Sequence, residues 1–278
     1  MRIDPRITQT LAKTTLWTLT GITLLILILI IVDISIKGLP HMSLSFLWQE
    51  PQDMGRGGGI FSTILSTGYI TLLAILLASP LGVGTAIYLT EYTREGWATR
   101  IIRFGAECLA GVPSIILGLF GFVLFVMKLG LGWSVLSGGL TLAIMVLPII
   151  IRTSEEAIKA VPQDYRTACY SLGMSQWQTI TRIVLPSALP GITTGIMLSV
   201  GRSLGETAVL LFTAGAALRA PATVFDSGRT MAVHFYILAR EGISSPNAYA
   251  TAAVLMISIL LINVVAYSLM QRMMRRYS

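Results

Sequence analysis

The chain of 278 residues is 54% hydrophobic and only 12% charged, and its 20 Lys and Arg outnumber its 13 Asp and Glu, giving a net charge of +7. A soluble domain carries about a quarter of its residues charged, so this composition excludes a soluble protein. Two cysteines are too few for a disulfide scaffold. Together with a mean hydropathy of +0.76, the composition predicts an all-α integral membrane protein with several spans.

Six apolar stretches are long enough to cross a bilayer, whose core of about 30 Å requires about 20 residues per helix. These stretches are residues 16–36, 60–88, 104–127, 135–151, 188–214 and 248–270. The second is longer than one straight span needs, which predicts a tilt or a kink near Pro80. The third and fourth contain Pro113 and Pro148. We therefore expect one six-span domain over residues 16–278.

Residues 1–15 are predicted to be a cytoplasmic N-terminal segment. Three basic residues precede the first apolar run, as in a signal peptide, but the run is as long as a full span and no small-residue cleavage site follows it. We therefore expect an uncleaved anchor. Ile7 and Leu11, four positions apart, predict a short helix on the membrane surface over residues 5–15.

The distribution of basic residues predicts the orientation of the spans. The N-terminus, the 91–103 loop, the 152–186 loop and the C-terminus together carry 13 Lys and Arg, whereas the segments on the other side carry six. The remaining base, Arg202, falls within span five. Because cytoplasmic loops are enriched in Lys and Arg, both termini are predicted to be cytoplasmic in a multi-pass protein of the cell inner membrane. The basic excess is thus topological, and nucleic-acid binding is not expected.

The loop over residues 152–186 is the longest predicted cytoplasmic connection, and its pattern differs from that of a linker. Residues 154–159 can extend span four as a polar helix. Pro162 favours the start of a second helix, Gly173 favours its end, and Ser175 opens a third helix that leads into span five. Two short helices below the membrane form either a compact docking element, anchored by Trp177, or a loop that packs only against the protein's own spans.

Span five contains two charged residues, Arg202 and Glu206. An arginine near the centre of a span costs about 2.5–3.5 kcal/mol on insertion scales. The four-residue spacing predicts one helix face on which the two side chains pair. The arginine then either binds an oxyanion in transit or belongs to a structural ion pair that fixes helix packing. Small residues that recur every fourth position predict close packing of another helix: Gly191, Gly195 and Ser199, with Gly201 and Gly205 beside the charges.

Motifs of enzymes and of metal sites are absent from the sequence. It contains no HExxH and no GxxxxGK[ST], and the GxSxG letters at residues 201–205 lie within predicted span five and so do not form a nucleophile elbow. Cys108 and Cys169 have no metal-like partner nearby, and a disulfide between a span and a cytoplasmic loop is not expected. An intramembrane enzyme is therefore the weakest hypothesis. Any ATP chemistry must belong to a partner, because the P-loop that cradles the phosphates is missing.

The end of the 152–186 loop carries a specific motif. Gly173 is followed after nine residues by Ile183 and, one residue further, by Leu185-Pro186. This pattern resembles the second half of the EAA loop of ABC-importer permeases, a loop that fits a cleft on the ATPase subunit. The Glu-Ala-Ala of that family aligns with Thr167-Ala168-Cys169, so the acidic residue is missing here. The resemblance implies an ATPase-coupling set of Tyr165, Arg166, Thr167, Ala168, Cys169, Leu172, Gly173, Ile183, Leu185 and Pro186.

The G-R-x-x-G-E-T sequence at residues 201–207 resembles a motif of phosphate-specific ABC permeases. Segments from span one to span six, among them 112–115, 147–153 and 211–214, resemble the PstA-type half of that system. The resemblance implies a type I ABC importer permease of MetI-like architecture, embedded in membrane lipid, with pathway residues Arg202, Ser203, Glu206 and Thr207.

The same resemblance implies the partners. They are a PstC-type second permease, a PstB-type ATPase dimer that binds ATP and Mg²⁺, and a periplasmic phosphate-binding protein, while this chain itself binds no cofactor and no metal. The alternative is a self-contained ion-coupled carrier or channel for a small anion. The elaborate inner loop and the lack of detectable inverted repeats argue against that alternative.

Three features on the predicted outer side have simpler interpretations. The glycine-rich segment 55–59 is either a backbone anion nest or a flexible turn ahead of span two. Residues 230–241 predict a short interfacial helix. His234 has no ligand partner in the sequence pattern and is expected to serve packing.

Overall fold

The computed structural model describes residues 5–93 and 96–277, which are almost entirely helical. In this part of the chain five helices are long and apolar enough to cross a membrane, and a bent helix pair passes the same test together, which gives six crossings if the pair is one span. The six predicted spans therefore have counterparts in the same chain order. The third and the fifth differ in detail, because both are interrupted where the sequence predicted one continuous helix.

Helix α1 spans Pro5–Gly38 without interruption. The separate surface helix predicted over residues 5–15 is therefore wrong, because these residues form the first turns of α1. All of its side chains between residues 9 and 33 are exposed. Its outer end contacts the rest of the chain, where Lys37 lies over the ring of Tyr249 at 4.9 Å and Gly38 packs directly on the backbone of Tyr249. Helix α1 thus presents an apolar surface to its surroundings.

The outer segment that follows α1 is compact. Helix α2, Leu44–Trp48, begins after Ser43, whose hydroxyl accepts a hydrogen bond from the amide of Phe46. Strands β1, Pro51–Gln52, and β2, Gly57–Gly58, form a small antiparallel hairpin. The side-chain amide of Asn247 donates to the carbonyls of Gly55 and Arg56 at 2.9 and 3.0 Å. The glycine-rich segment is therefore an ordered turn, whose backbone carbonyls are held by the side chain of Asn247.

Two helices form the centre of the fold. Helix α3, Phe61–Ile87, passes through Pro80 without a break and ends in a π-helical turn, Tyr88–Tyr92. Helix α6, Val135–Lys159, includes Pro148 and the predicted polar extension over residues 154–159, which is confirmed. The hydrophobic core between them contains fully buried apolar side chains, among them Ile70, Leu142, Val146 and Ile150.

Glycines permit the close approach of α3 and α6. A Cβ atom on Gly82 would lie 2.7 Å from the Cγ2 atom of Ile150, and one on Gly139 would lie 2.5 Å from the Cδ2 atom of Leu73. Both distances are shorter than any van der Waals contact, so a larger residue at either position would separate the helices. Because residue numbers increase in the same direction along both contacts, α3 and α6 run parallel, as the predicted topology requires.

The third span is broken at a proline. Helix α4, Trp97–Gly111, and helix α5, Ser114–Gly121, which continues as a π-helical segment Phe122–Lys128, meet at an angle of 103°. Val112 has the extended conformation (φ −72°, ψ 129°), because the ring of Pro113 disfavours the α conformation in the residue before it. The single helix predicted over residues 104–127 is therefore wrong.

The second half of the chain contains the inner helices and spans five and six. Helices α7, Gln163–Ser171, and α8, Gln176–Thr179, lie in the predicted 152–186 loop. A π-helical turn, Ile180–Val184, joins α8 to α9, Leu185–Leu204.

After α9 the chain unwinds over residues 205–207 before the short helix α10, Ala208–Thr213. The continuous fifth helix predicted over residues 188–214 is thus wrong. Helix α11, Met231–Arg240, confirms the short outer helix predicted over 230–241, and α12, Ser245–Tyr277, is the sixth span.

Candidate functional site

The inner helix pair α7–α8 is the first candidate site, and its turn is defined by Gly173. This residue has a φ of +80°, which L side chains rarely adopt. The amides of Gly173 and Met174 donate to the carbonyls of Tyr170 and Cys169, at 3.0 and 3.1 Å, the hydrogen-bond pattern of a Schellman motif. Helix α8 then begins with a capping box formed by Ser175 and Gln178. Local sequence alone therefore determines the shape of this turn.

Arg166 on α7 forms a buried ion pair with Glu91, in the π-helical turn at the end of α3. The side chains are 9% and 6% exposed, and the shortest distance, from Nη2 of Arg166 to Oε1 of Glu91, is 2.7 Å. The remaining donors of Arg166 reach the backbone carbonyls of Ile158 and Val161, at 3.0 and 2.8 Å, where α6 ends. The guanidinium thus joins α7 to the inner ends of both α3 and α6.

The rest of the predicted coupling set separates into an exposed and a buried group. Tyr165, Thr167, Ala168 and Leu172 are exposed, as is the neighbouring Trp177, with exposed fractions of 82% for Leu172, 64% for Trp177 and 51% for Tyr165. Cys169 is buried with Arg166 beneath them, and Ile183, Leu185 and Pro186 are half-buried where the chain enters α9. The helix pair therefore presents apolar side chains to the outside.

The predicted small-residue positions of span five differ in whether they pack against α6. A Cβ atom on Gly191 would lie 2.5 Å from the Cβ atom of Ala157, and one on Gly195 would overlap the side chain of Thr153. Ser199, one turn further, is fully buried. In contrast, a Cβ atom on Gly201 or on Gly205 would meet nothing within 4 Å. The close approach of α9 to α6 thus uses Gly191 and Gly195.

Arg202 and Glu206 do not share a helix face, which corrects the geometry predicted for them. Helix α9 ends at Leu204, and the Oε1 atom of Glu206 accepts a hydrogen bond of 3.4 Å from the amide of Val209, at the start of α10. The side chain of Arg202 is exposed. Among the ion pairs of the described residues, none joins Arg202 to Glu206.

The neighbouring pathway residues Ser203 and Thr207 are less exposed than Arg202. Ser203 is buried, and its hydroxyl donates to the carbonyl of Ser199 at 2.8 Å. Thr207 is half-buried and its carbonyl accepts from the amide of Leu211 at 2.9 Å. Because Gly195 is opposite Thr153 and each helical residue rises 1.5 Å, Arg202 lies about 10 Å further toward the outer side, near the middle of α6.

A second charged cluster joins α4 to α6. Glu155 is 8% exposed, and it pairs with Arg103 at 2.6 Å and with Lys159 at 2.7 Å. Glu107 lines the adjoining groove of about 260 Å³. Arg103 pairs with Glu155, and Ala110 and Pro148 line the same groove, so α4 lies beside the inner half of α6. The sequence pattern identified neither Glu155 nor Glu91 as a partner, although each is an acid at the inner end of an apolar span.

His234 on the outer side is buried, in agreement with the packing role expected for it. Burial, together with the nearby charge of Arg229, lowers the pKa of His234 to about 4. Burial likewise lowers the pKa of Arg229, whose Nη1 atom lies 3.4 Å from Nδ1 of the imidazole. The imidazole is therefore neutral near pH 7. In the described segments no three His, Cys, Asp or Glu side chains are close enough to hold a metal ion.

Comparison with known proteins places these features in a family. Residues 78–278 match the family model of the binding-protein-dependent transport system inner membrane component. The chain is 36% identical over 250 residues to the probable ABC transporter permease protein YqgI of Bacillus subtilis, covering 84% of this chain and 85% of that protein. It is 35% identical over 237 residues to the phosphate transport system permease protein PstA of Pasteurella multocida, covering 83% of this chain and 82% of that protein.

A third relative, PstA of Xylella fastidiosa, is 40% identical over 178 residues, which is 64% of this chain and 62% of that protein. Among solved structures, a bacterial alginate ABC transporter aligns with a TM-score of 0.68 at 16% identity over 98% of both chains. The MetNI methionine ABC transporter aligns with a TM-score of 0.65 at 17% identity, over 77% of this chain and 95% of that one. These likenesses show the fold, that of a type I ABC importer permease.

Proposed function

Because the chain belongs to the family of binding-protein-dependent transport system inner membrane components, we propose that it is the permease subunit of an ATP-driven importer of inorganic phosphate. Support for phosphate comes from two relatives, 35% and 40% identical, that are named phosphate transport system permease protein PstA. The observation that carries the permease role is the α7–α8 pair, an ordered helical turn with exposed apolar side chains at the inner end of the bundle.

The exposed side chains of Tyr165, Leu172 and Trp177 form the surface that meets the ATPase in this proposal. Exposed apolar clusters of this kind mark contacts with a partner. The ATPase, a PstB-type dimer, binds ATP and Mg²⁺, and this chain holds neither. Thr167 stands where the family motif has glutamate, and its hydroxyl donates to the carbonyl of Gln163 at 3.2 Å. Docking here therefore rests on apolar contacts rather than on a salt bridge from that position.

The translocation path is proposed to pass beside Arg202, between this chain and a PstC-type permease. Its guanidinium is exposed near the middle of α6 and is not paired with Glu206, so it is available to an oxyanion. Ser203, Glu206 and Thr207 shape the unwound segment next to it. A periplasmic binding protein delivers phosphate from the outer side, and both termini are cytoplasmic in this proposal, as the excess of Lys and Arg on the inner loops favours.

A self-contained ion-coupled carrier or channel is not favoured, because the family and the inner helix pair both point to a transporter with separate ATPase subunits. The two classes differ in one measurable property. Uptake by a carrier persists when no ATPase subunit is present, whereas uptake by the proposed importer stops.

The first experiment is co-purification of this chain with its ATPase from membranes. Leu172→Asp places a charge on the docking surface, and we expect it to abolish retention of the ATPase. Leu44→Asp is the matched control, because Leu44 is similarly exposed, at 77% against 82% for Leu172, but lies on the outer side. If the ATPase never co-purifies with the wild-type chain, or if both variants retain it equally, the permease assignment fails.

The second experiment tests the path in the reconstituted complex. Arg202→Gln is expected to abolish uptake of radiolabelled phosphate while the complex still assembles, because the neutral amide cannot offset the charge of the anion. Wild-type uptake by this variant would remove Arg202 from the path.

A further inference from the structure

The junction at Glu91 connects both inner helices to the end of span two. The carboxylate of Glu91 pairs with Arg166 on α7, and the backbone carbonyl of the same residue accepts a hydrogen bond from the side-chain amide of Gln176 on α8. One residue of the π-helical turn that ends α3 therefore holds both helices of the predicted docking element. The partners are 75 and 85 positions away in the sequence, so this connection is purely tertiary.

The guanidinium of Arg166 is fully used within this chain. Its Nε atom donates to both carboxylate oxygens of Glu91, at 3.2 and 3.3 Å, and Nη2 donates to Oε1 at 2.7 Å and to the carbonyl of Ile158 at 3.0 Å. The Nη1 atom donates to the carbonyls of Val161 at 2.8 Å and of Pro162 at 3.5 Å. No donor is left for another subunit, so Arg166 is not an ATPase contact.

Burial makes this pair mechanically different from the exposed Arg152–Glu156 pair at the inner end. The side chains of Arg166 and Glu91 are 9% and 6% exposed, whereas those of Arg152 and Glu156 are 78% and 67% exposed. An exposed pair is screened by water and adds little to rigidity. Removing one member of a buried pair leaves an uncompensated charge, so the buried pair resists separation. The inner helices are therefore firmly tied to α3 and α6.

We propose that the Glu91–Arg166–Gln176 junction transmits movement of the ATPase-bound helices α7 and α8 into α3. This inference rests on the proposed function. Because Arg166 also binds the carbonyls at the end of α6, and α3 and α6 pack closely through Gly82, the two central helices move with the docking element. Glu91 and Arg166 are thus positioning residues: they touch neither phosphate nor nucleotide, and they couple ATP hydrolysis to the opening of the path.

The test uses the complete complex in proteoliposomes, with this chain, the second permease, the ATPase and the phosphate-binding protein. Glu91→Gln keeps the size of the side chain but removes its charge. We expect the ATPase to remain bound and ATP hydrolysis to stay within about twofold of wild type, while phosphate taken up per ATP hydrolysed falls about tenfold. The concentration of binding protein that gives half-maximal uptake should not change, since the outer side is untouched.

Two further variants complete the design. Glu156→Gln removes the same charge from the exposed pair, and it should leave the uptake-to-hydrolysis ratio unchanged. Gln176→Ala releases α8 alone, and it should lower the ratio about two- to threefold without the burial of an unpaired charge. This milder variant keeps the proposal testable if Glu91→Gln does not fold.

Each outcome decides between the proposals. A wild-type ratio in both Glu91→Gln and Gln176→Ala overturns the transmission role, and so does loss of ATPase binding in Glu91→Gln, because the junction would then serve assembly alone. A wild-type complex that hydrolyses ATP but takes up no phosphate contradicts the phosphate proposal instead. In that case hydrogen exchange of the α7 and α8 amides, faster in Glu91→Gln than in Glu156→Gln, still tests the junction.

Discussion

Substitution of Gly195 by alanine is a direct test of how span five packs. In the structure the Cβ atom of such an alanine would overlap the Oγ1 atom of Thr153 and would lie 2.7 Å from its Cβ atom. The hydroxyl of Thr153 already donates to the carbonyl of Ile149 at 2.8 Å, so turning it away would cost that hydrogen bond without relieving the second contact. The two helices therefore have to move apart.

The size of the destabilisation follows from a comparison with Gly201 on the same helix, where an added Cβ atom would meet nothing within 4 Å. Alanine in place of glycine stabilises a helix by about 0.5–1 kcal/mol at either position. Overpacking at residue 195 costs about 1–3 kcal/mol in addition. The helix-propensity gain cancels in the difference between the variants, so Gly195→Ala should be less stable than Gly201→Ala by about 1–3 kcal/mol.

The assay is thermal unfolding of the purified chain in detergent. For a protein of this size 1 kcal/mol corresponds to a shift of about 2–4 °C in Tm. The double variant Gly195→Ala/Thr153→Ala should recover part of the loss, because it removes the Oγ1 overlap and leaves the contact of the Cβ atoms. Equal Tm values for Gly195→Ala and Gly201→Ala would refute the packing of α9 on α6.

Four further predictions concern other parts of the chain. Acidification from pH 6.5 to about 4 should destabilise the folded chain by up to about 3 kcal/mol through His234, because the imidazole binds a proton more tightly in the unfolded state. The variant His234→Gln should therefore show a weaker dependence of Tm on pH over this range. Leu172→Asp should abolish co-purification of the ATPase while leaving the Tm of the chain itself within about 1 °C, since its side chain is exposed. Arg202→Gln should abolish phosphate uptake without loss of subunits on size-exclusion chromatography. Glu91→Gln should lower the phosphate taken up per ATP about tenfold with the ATPase still bound.

The sequence was sufficient for the places of the apolar helices along the chain and for the turn between α7 and α8. Both depend on local signals: about 20 apolar residues cross a bilayer whatever their neighbours are, and Gly173 provides the positive φ that the turn requires. The breaks in spans three and five were not predicted, because hydropathy counts apolar residues and carries no information on the direction of the chain. Pro113 was visible, but a proline can either kink a span or end a helix.

Long-range partners were beyond the sequence pattern. Glu91 and Arg166 are 75 residues apart, and each resembles an ordinary charged residue at a membrane boundary. Their pairing depends on the parallel packing of α3 and α6, which brings both inner ends together, and no local periodicity reports that arrangement. The i,i+4 pairing of Arg202 and Glu206 was wrong for the converse reason, because it assumed a helix that continues beyond Leu204.

Because Arg202 and Glu206 are not paired, the structure favours a water-filled subunit interface around Arg202 over contact with lipid. Glu206 is committed to the amide of Val209, so Arg202 has no compensating charge from that residue. A lipid-facing arginine at this depth costs about 2.5–3.5 kcal/mol. The exposed guanidinium therefore requires either water or an anionic group from outside this chain. The transport path proposed between this chain and a second permease would supply both, with water at rest and phosphate in transit, whereas a purely structural ion pair requires a partner carboxylate that stays in place.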